Sequence, residues 1–294
     1  MAYNAVNTTT QVANLVETQY RRRFSLDTGE RLVICGGGAF DDATEGLQKL
    51  GNAIVLRKIA PKAAQTGTAT SAMDPTGLTW EQDTEVAVTV SPTFRYCAYS
   101  LNKPAQTRLL ADAEFKRGVR EQMTRGLSEA IDISAGDLAA SLATNITGSG
   151  AVNLDQSLIL ESLGKLRIGA GRYFELGDTK AFFDVHPKQL RQLFGISNYM
   201  NAQFRGQSDG PVKTGIVVPG WGCTFRISGN VDDSGGALHN FLHVKESHVI
   251  GWNEKPTLMP EQPYGLDLLL IAYAEAGVAE FYDAYAVDVQ TSNA

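Results

Sequence analysis

Residues 52–147 constrain this chain more than any other stretch. Two strand-like runs flank a tip rich in Ala, Thr and Gly, and an amphipathic segment of about forty residues follows them. A projecting hairpin and a lone long helix have too little local core to bury their own faces, so such a pair requires neighbours.

The first run, 52–60, and the second, 84–101, read as strands. In the second, Val86, Val88 and Val90 alternate with Glu85, Ala87 and Thr89. The connection 61–83 exceeds the roughly 12–15 residues beyond which structureless loops in a compact domain become uncommon. Trp80, near its end, is an apolar anchor with no local core to enter, which points to a hairpin docked on a neighbouring subunit. Pro104 suits a helix start, because its missing N–H would be unpaired there anyway. Phe115, Val119, Met123, Leu127, Ile131 and Ala135 then recur every four residues, and Leu138, Leu142 and Ile146 continue the series. At 3.6 residues per turn the stripe winds through about 200° from Phe115 to Ala135. A two-stranded coiled coil needs a steadier seam. The pattern predicts a spine meeting different neighbours along its length. Gly118, Gly126 and Gly136 weaken it, and a bend is expected near Gly136.

The flanking segments are simpler. Residues 1–30 are polar, with Arg21, Arg22 and Arg23 following a short helical period, and read as an arm ordered by docking on something else. Gly36, Gly37 and Gly38 read as a flexible hinge between arm and body. Asp41 or Asp42 caps a short helix running through Leu47 and Leu50, with Gly51 as its stop. Gly148-Ser149-Gly150 marks a boundary, after which the pattern is mixed α/β. A helix is predicted over 154–169, a strand over 181–185 and a helix opened by Pro187 that carries Leu190, Leu193 and Phe194. Strands are predicted over 214–218 and 224–228, strand character over 240–252, and two runs either side of Gly277 in 266–289.

The chain has 294 residues, 43% hydrophobic and 20% charged, which is ordinary for a soluble globular protein. Its net charge of −6 argues against a sequence-reading nucleic-acid binder. Cys35, Cys97 and Cys223 have neither disulfide nor metal spacing and read as reduced, buried thiols. The start, MAYNAVNTTT, has no signal-peptide pattern, and no apolar run is long enough for a membrane span, so a cytosol-made soluble protein is expected.

The candidate chemistry is thin. Gly206-Gln207-Ser208-Asp209-Gly210 matches the nucleophile-elbow pattern, but polar residues precede it and Pro211 follows where a helix is needed, so a solvated loop is the better reading. His239, His243 and His248 invite a metal. On one strand, however, His243 and His248 face opposite sides and His239 lies about 13 Å from His243, so strand-edge histidines are expected. The three glycines at 36–38 lack both phosphate-loop and dinucleotide fingerprints. The Arg21–Arg23 cluster is short for nucleic acid, and inter-subunit ion pairs or solvation are the better reading. No catalytic residue, cofactor or metal is assigned.

The order of parts resembles that of a tailed-bacteriophage major capsid protein of the Hong Kong 97-like fold. The resemblance lies in that order and in local wording: Leu127-Ser-Glu-Ala-Ile131-Asp132, Asp184-Val-His-Pro187-Lys-Gln-Leu190, Val212-Lys-Thr-Gly215-Ile, Phe225-Arg-Ile-Ser-Gly-Asn230 and the closing Gly277-Val-Ala-Glu-Phe-Tyr-Asp283-Ala-Tyr-Ala-Val287. It implies an α+β fold with an N-terminal arm (1–51), an extended β-hairpin loop (52–101), a peripheral domain with the spine helix (102–150), an α/β axial domain (151–262) and a return to the peripheral domain (263–294). The implied function is a non-enzymatic coat subunit forming the pentamers and hexamers of an icosahedral head around double-stranded DNA. Its partners would be copies of itself, a separate scaffolding protein, a portal and decoration proteins, with non-specific DNA contact and no membrane. Its place would be the virion, assembled in the host cytoplasm. Arg21, Arg22, Arg23, Arg57, Lys58, Lys62, Trp80 and Glu81 are the inter-subunit contact candidates. Some relatives form Lys–Asn crosslinks from the hairpin loop; Lys58 and Lys62 lie in that region, and no crosslink is predicted. Alternatives are an encapsulin-type nanocompartment shell, a tail or baseplate protein, and a serine hydrolase using Ser208.

Overall fold

The computed structural model describes residues 32–36, 38–50, 53–59, 85–101, 112–142, 145–170, 181–197, 221–261 and 268–293. Among these residues the strands form three sheets. The hairpin is one: β2 (Ile54–Ile59) and β3 (Glu85–Val90) pair antiparallel, Ile54 opposite Val90 and Ile59 opposite Glu85. The second run predicted as one strand is divided at Ser91-Pro92, and β4 (Thr93–Leu101) belongs to a different sheet. Pro92 has no N–H to donate to a ladder, so it sits where the chain leaves one sheet for the other.

The second sheet is built on two long strands, β9 (His248–Glu261) and β10 (Leu268–Glu280), with β4 along the far edge of β10 and the short β1 (Asp41–Asp42) beside β9. β10 runs straight through Gly277, so the predicted break there is displaced. Gly277 is needed for approach, since a Cβ would lie 2.7 Å from the Ser91 carbonyl oxygen. The chain turns instead at 281–285 and enters β11 (Ala286–Ser292). Helix α1 (Thr44–Leu50) docks on β9, and Asp42 accepts from the Thr44 N–H at 2.9 Å, as the capping reading required.

The third sheet has the order β5 (Ile146–Gly148), β11, β8 (Ala237–Val244), β6 (Ala181–Val185), β7 (Cys223–Ile227). Thus the segment 263–294 divides between two sheets, with β10 in the long sheet and β11 in the five-stranded one. The strand character at 240–252 likewise separates into β8 and β9 around a 3₁₀ turn, Lys245–Ser247.

Helix α2 (Ala113–Ser141) joins the two larger sheets. It is shorter than the sequence suggested, for two reasons. Asp112 caps its start, accepting from the N–H groups of Glu114 and Phe115; Pro104 lies outside the described residues. At its end Leu142 is extended, and Ile146 belongs to β5, whose residues align in parallel with β11. The apolar stripe holds along its middle: Val119, Met123, Leu127, Ile131, Ala135 and Leu142 are buried, Phe115 and Leu138 are partly buried, and Ala139 is buried in addition. As the winding predicted, the helix meets β4, β10, β8 and β11 in turn.

The seating of α2 depends on small residues. On β10, Ala272, Ala274 and Ala276 are buried on one face while Tyr273 and Glu275 alternate with them. Arg95 on β4 ties helix to sheet, donating to Ser134 Oγ at 2.6 Å and to the Ala276 carbonyl at 3.1 Å. The five-stranded sheet is covered on its other face by α3 (Gln156–Ala170) and α4 (Leu190–Gly195). Leu158, Ile159, Leu163, Leu166 and Leu193 pack there in one buried cluster with Phe183, Val185, Leu242, Val244, Val287 and Val289.

The glycines of α2 separate two effects. A Cβ on Gly136 would lie 2.2 Å from the Asn230 carbonyl oxygen, whereas one on Gly118 meets nothing within 4 Å. Gly136→Ala is therefore expected to destabilise the chain by about 1–3 kcal/mol through overpacking. Gly118→Ala should stabilise it by up to about 1 kcal/mol through helix propensity. Urea midpoints of the two variants check both signs.

Candidate functional site: a buried polar junction and two exposed faces

Most of the contact candidates read from sequence, Arg21, Arg22, Arg23, Lys62, Trp80 and Glu81, lie outside the described residues, as does the Gly206–Gly210 loop with Ser208. Arg57 and Lys58 lie on β2, opposite Ala87 and Val86 in the backbone register.

The structure also shows a feature that the sequence reading missed. Leu32–Gly36 forms a turn against the middle of α2, and Asp132 of the helix points its carboxylate into it. The Val33 N–H donates to Asp132 Oδ2 at 2.7 Å, and the N–H groups of Ile34 and Cys35 donate to Oδ1 at 3.2 and 3.3 Å. The Cys35 thiol adds a fourth contact at 3.3 Å. Successive backbone N–H groups converging on one anion make a nest, which offsets part of the cost of burying a charge. Burial still prevails: it holds the Asp132 carboxyl above its ordinary range, against the lowering effect of those N–H groups. Burial, followed by the nearby Asp132 charge, likewise pushes the Cys35 thiol well up. The residue after the nest, Gly36, is a glycine because a Cβ would lie 2.1 Å from the Leu32 carbonyl oxygen. The expected hinge is thus a gripped turn at Gly36, not a free joint.

From the opposite side the turn meets Arg226 of β7. Its Nη2 donates to the Ile34 carbonyl at 3.0 Å and its Nη1 to the Gly36 carbonyl at 3.4 Å. The same guanidinium forms a bidentate pair with Asp184 of β6, Nε to Oδ1 at 2.6 Å and Nη2 to Oδ2 at 2.5 Å. Asp184 is fully buried and the Arg226 side chain is 14% exposed. Strands β6 and β7 pair with Asp184 opposite Arg226, so the backbone register alone makes these two side chains neighbours.

His243 completes the group. Its Nε2 lies 3.2 Å from Asp184 Oδ2 and 3.1 Å from Arg226 Nη2, and its ring stacks on Phe241 with centroids 4.4 Å apart. His248 sits nearby, with ring centroids 6.3 Å apart. Both are fully buried, which corrects the strand-edge expectation. That geometry assumed one continuous strand, whereas the 3₁₀ turn Lys245–Ser247 folds β9 away from β8. The Ser247 hydroxyl donates to the Val244 carbonyl, so it accepts from His248 Nδ1 at 2.8 Å. That fixes the Nδ1–H tautomer and leaves a buried Nε2 with no hydrogen-bond partner. Burial pushes both histidines down, His248 well below its ordinary value. His239, by contrast, pairs with the buried Asp288 at 2.9 Å.

These groups do not assemble a reaction centre. Among the described residues no group of His, Cys, Asp and Glu is arranged to hold a metal ion. A cleft of about 510 Å³ opens beside the turn, within the usual range for ligand sites. In its lining the Ser128 hydroxyl donates to the Thr124 carbonyl, the Ser228 hydroxyl accepts from the Asn230 N–H, and Glu129 pairs with Arg125. Cys35 and Cys223 are buried, Cys97 is half-buried, and none of the three is in a disulfide. Among the described residues no helix is long and apolar enough to cross a membrane.

Two faces carry exposed apolar residues. On the long sheet, away from α2, Phe94 and Tyr96 of β4 are exposed and lie 6.0 Å apart, and Phe94 lies 5.7 Å from the Tyr273 ring of β10. On α3, Leu160 and Ile168 are exposed either side of Gly164. The sequence held one clue to the junction: Thr124, Ser128 and Asp132 recur every four residues beside the apolar stripe and are buried with it. A charged member of a buried helical row needs a partner.

No family model matches the chain, and no curated protein matches it. Solved structures do. Over 86% of this chain and 89% of the other, it superimposes on a chain described as Mycobacterium phage Che8 with a TM-score of 0.64 at 10% identity. For the cyanophage Pam1 capsid asymmetric unit the TM-score is 0.63 at 13% identity, covering 86% of this chain and 88% of that one. For the mature capsid of bacteriophage PhiM1 it is 0.62 at 11% identity, covering 88% and 87%. The chain therefore has the fold of phage capsid subunits.

Two predictions follow from the junction. Removing one partner of a buried ion pair strands the other, so Asp184→Ala should lower the unfolding free energy by about 3–5 kcal/mol. The double replacement Asp184→Leu with Arg226→Met should recover part of that loss in urea titrations of the unassembled chain. The histidines make stability depend on pH. Their folded values lie below the unfolded value of 6.5, so their contribution is present above 6.5 and is lost as pH falls from there. Each adds up to about 1.4 kcal/mol per pH unit to the slope. At lower pH Asp132 and Asp288, both raised by burial, act in the opposite direction. His248→Phe should flatten the fall in stability below pH 6.5, because the variant no longer carries a group that takes up a proton only on unfolding. Unfolding midpoints across that range test this.

Proposed function

We propose that this chain is the major capsid protein of a tailed double-stranded DNA bacteriophage, a non-enzymatic coat subunit that assembles into the pentamers and hexamers of an icosahedral head. The observation that carries the proposal is the extent of the structural match. Each of the three neighbours aligns with 86% or more of this chain. Two of them are described as capsids, and one of these as a mature capsid. A likeness spanning both sheets and the helix between them favours a shared architecture over a shared module.

In this reading the hairpin and the N-terminal segment reach over adjacent subunits, and α2 with the long sheet forms the peripheral domain. The axial domain is the five-stranded sheet with α3 and α4. Arg57 and Lys58 on β2, together with Arg21, Arg22, Arg23, Lys62, Trp80 and Glu81, are the proposed inter-subunit contacts. A scaffolding protein, a portal, decoration proteins and non-specific contact with packaged DNA complete the set of partners, and assembly takes place in the host cytoplasm. No observation favours the encapsulin-type shell or the Ser208 hydrolase.

The test is to express the chain with and without a co-expressed scaffolding protein and image it by negative-stain microscopy. Closed shells or ring-shaped capsomers are expected, and a monodisperse monomer under every condition overturns the proposal. Replacing both Arg57 and Lys58 with Glu should abolish assembly while circular dichroism stays unchanged. Normal shells from that variant would remove these two residues from the contact set.

A further inference from the structure

The turn Leu32–Gly36 is held by two groups that belong to different parts of the body. Asp132 belongs to α2 and takes the turn's N–H groups; Arg226 belongs to the five-stranded sheet and takes its carbonyls. Among the described residues no ion pair joins Asp132 to Arg226 or to any other cation. Asp132 is 1% exposed, and the nest with its thiol neighbour is what answers its charge. Arg226 is fixed on its own side by Asp184, by the nearby His243 and by the Phe182 ring 4.7 Å beneath it. The turn is thus the polar bridge between helix and sheet, and it lies at the point where residues 1–31 join the body.

We propose that Leu32–Gly36 is a two-sided clamp that couples the Asp132 grip to the Arg226 grip, and through them the position of α2 to that of the five-stranded sheet. A sliding of the helix against the sheet draws Asp132 and Arg226 apart across five residues that cannot follow both. One grip has to open before the other. If the Asp132 grip opens, a buried carboxylate loses its donors; if the Arg226 grip opens, two carbonyls lose theirs. Opening either grip therefore loosens the other.

The experiment is hydrogen exchange on the unassembled chain, read on peptides covering 32–36, with β8 and β11 as the control for the global fold. Asp132→Asn should speed exchange at Val33, Ile34 and Cys35 by at least about tenfold while β8 and β11 keep their protection. Arg226→Lys is the discriminating variant, because Arg226 touches none of those N–H groups. The clamp requires Arg226→Lys to speed their exchange too, and requires the double variant to exchange no faster than the faster single one. Unchanged protection at 33–35 in Arg226→Lys overturns the coupling. So does a double variant whose acceleration is the product of the two single ones, which means two independent grips. Should Asp132→Asn lose the β8 and β11 control, Arg226→Lys decides alone. The readout needs no shell, so a failure of the capsid reading would leave it intact.

Discussion

Helix α2 has to sit close to the long sheet, because the strand beneath it offers only alanine at 272, 274 and 276. Small residues on the sheet and a winding stripe of Met123, Leu127 and Ile131 on the helix make one dense contact. The same helix also meets β8 and β11 of the five-stranded sheet, and at Gly136 a Cβ would meet the Asn230 carbonyl oxygen in the turn after β7. This double seating sets where the remaining parts go. β4 runs along the far edge of β10 and is pinned to α2 by Arg95. β11 passes from the end of the long sheet into the five-stranded one, and the N-terminal turn fills the space left between helix and β7.

The polar junction is a consequence of that seating. Two sheets meeting on one helix leave a seam where backbone groups of the turn would be buried without partners, and such groups need them. Asp132 supplies acceptors for its N–H groups and Arg226 supplies donors for its carbonyls. Two opposite charges that never touch each other thereby satisfy one five-residue segment. His243 shares Asp184 with Arg226, and Phe40 stacks on His248, so the aromatic cluster around the junction is continuous with the core.

Much of this was legible in the sequence, and the failures have physical causes. The every-four stripe gave the long helix and its changing neighbours, and alternation at Val86, Val88 and Val90 gave the second hairpin strand though not its end at Val90. Strand β6 was read to the residue. The ends of α2 were not, because Ile146 fits both a helical step of four and an alternating strand, and only pairing with β11 decides between them. A strand passing from one sheet to another is equally invisible locally: Ser91-Pro92 and Lys245–Ser247 look like ordinary interruptions. The junction was missed because its members are far apart in the chain. Asp132, Asp184, Arg226 and Gly36 carry no spacing signal, and only the register of β6 on β7 and the return of the turn to α2 bring them together.

The exposed faces have a shared logic. Toward α2 the long sheet presents alanine; away from it the same strands present Phe94, Tyr96 and Tyr273. Large aromatic side chains thus lie on the face that the described residues leave open, and the Tyr273 hydroxyl is held by Glu254 at 2.8 Å, which fixes the ring in place. Rigid rings of this kind contribute area to a contact at low entropic cost. β4 carries two of them and, among the described residues, pairs with β10 alone, so in the sheet order it is an edge strand. A free-standing domain protects such an edge. Here the base of the hairpin packs on the body instead, Ile54 and Leu56 lying against Leu47, Val90 and Val249, and among the described residues the outer side of β4 stays open.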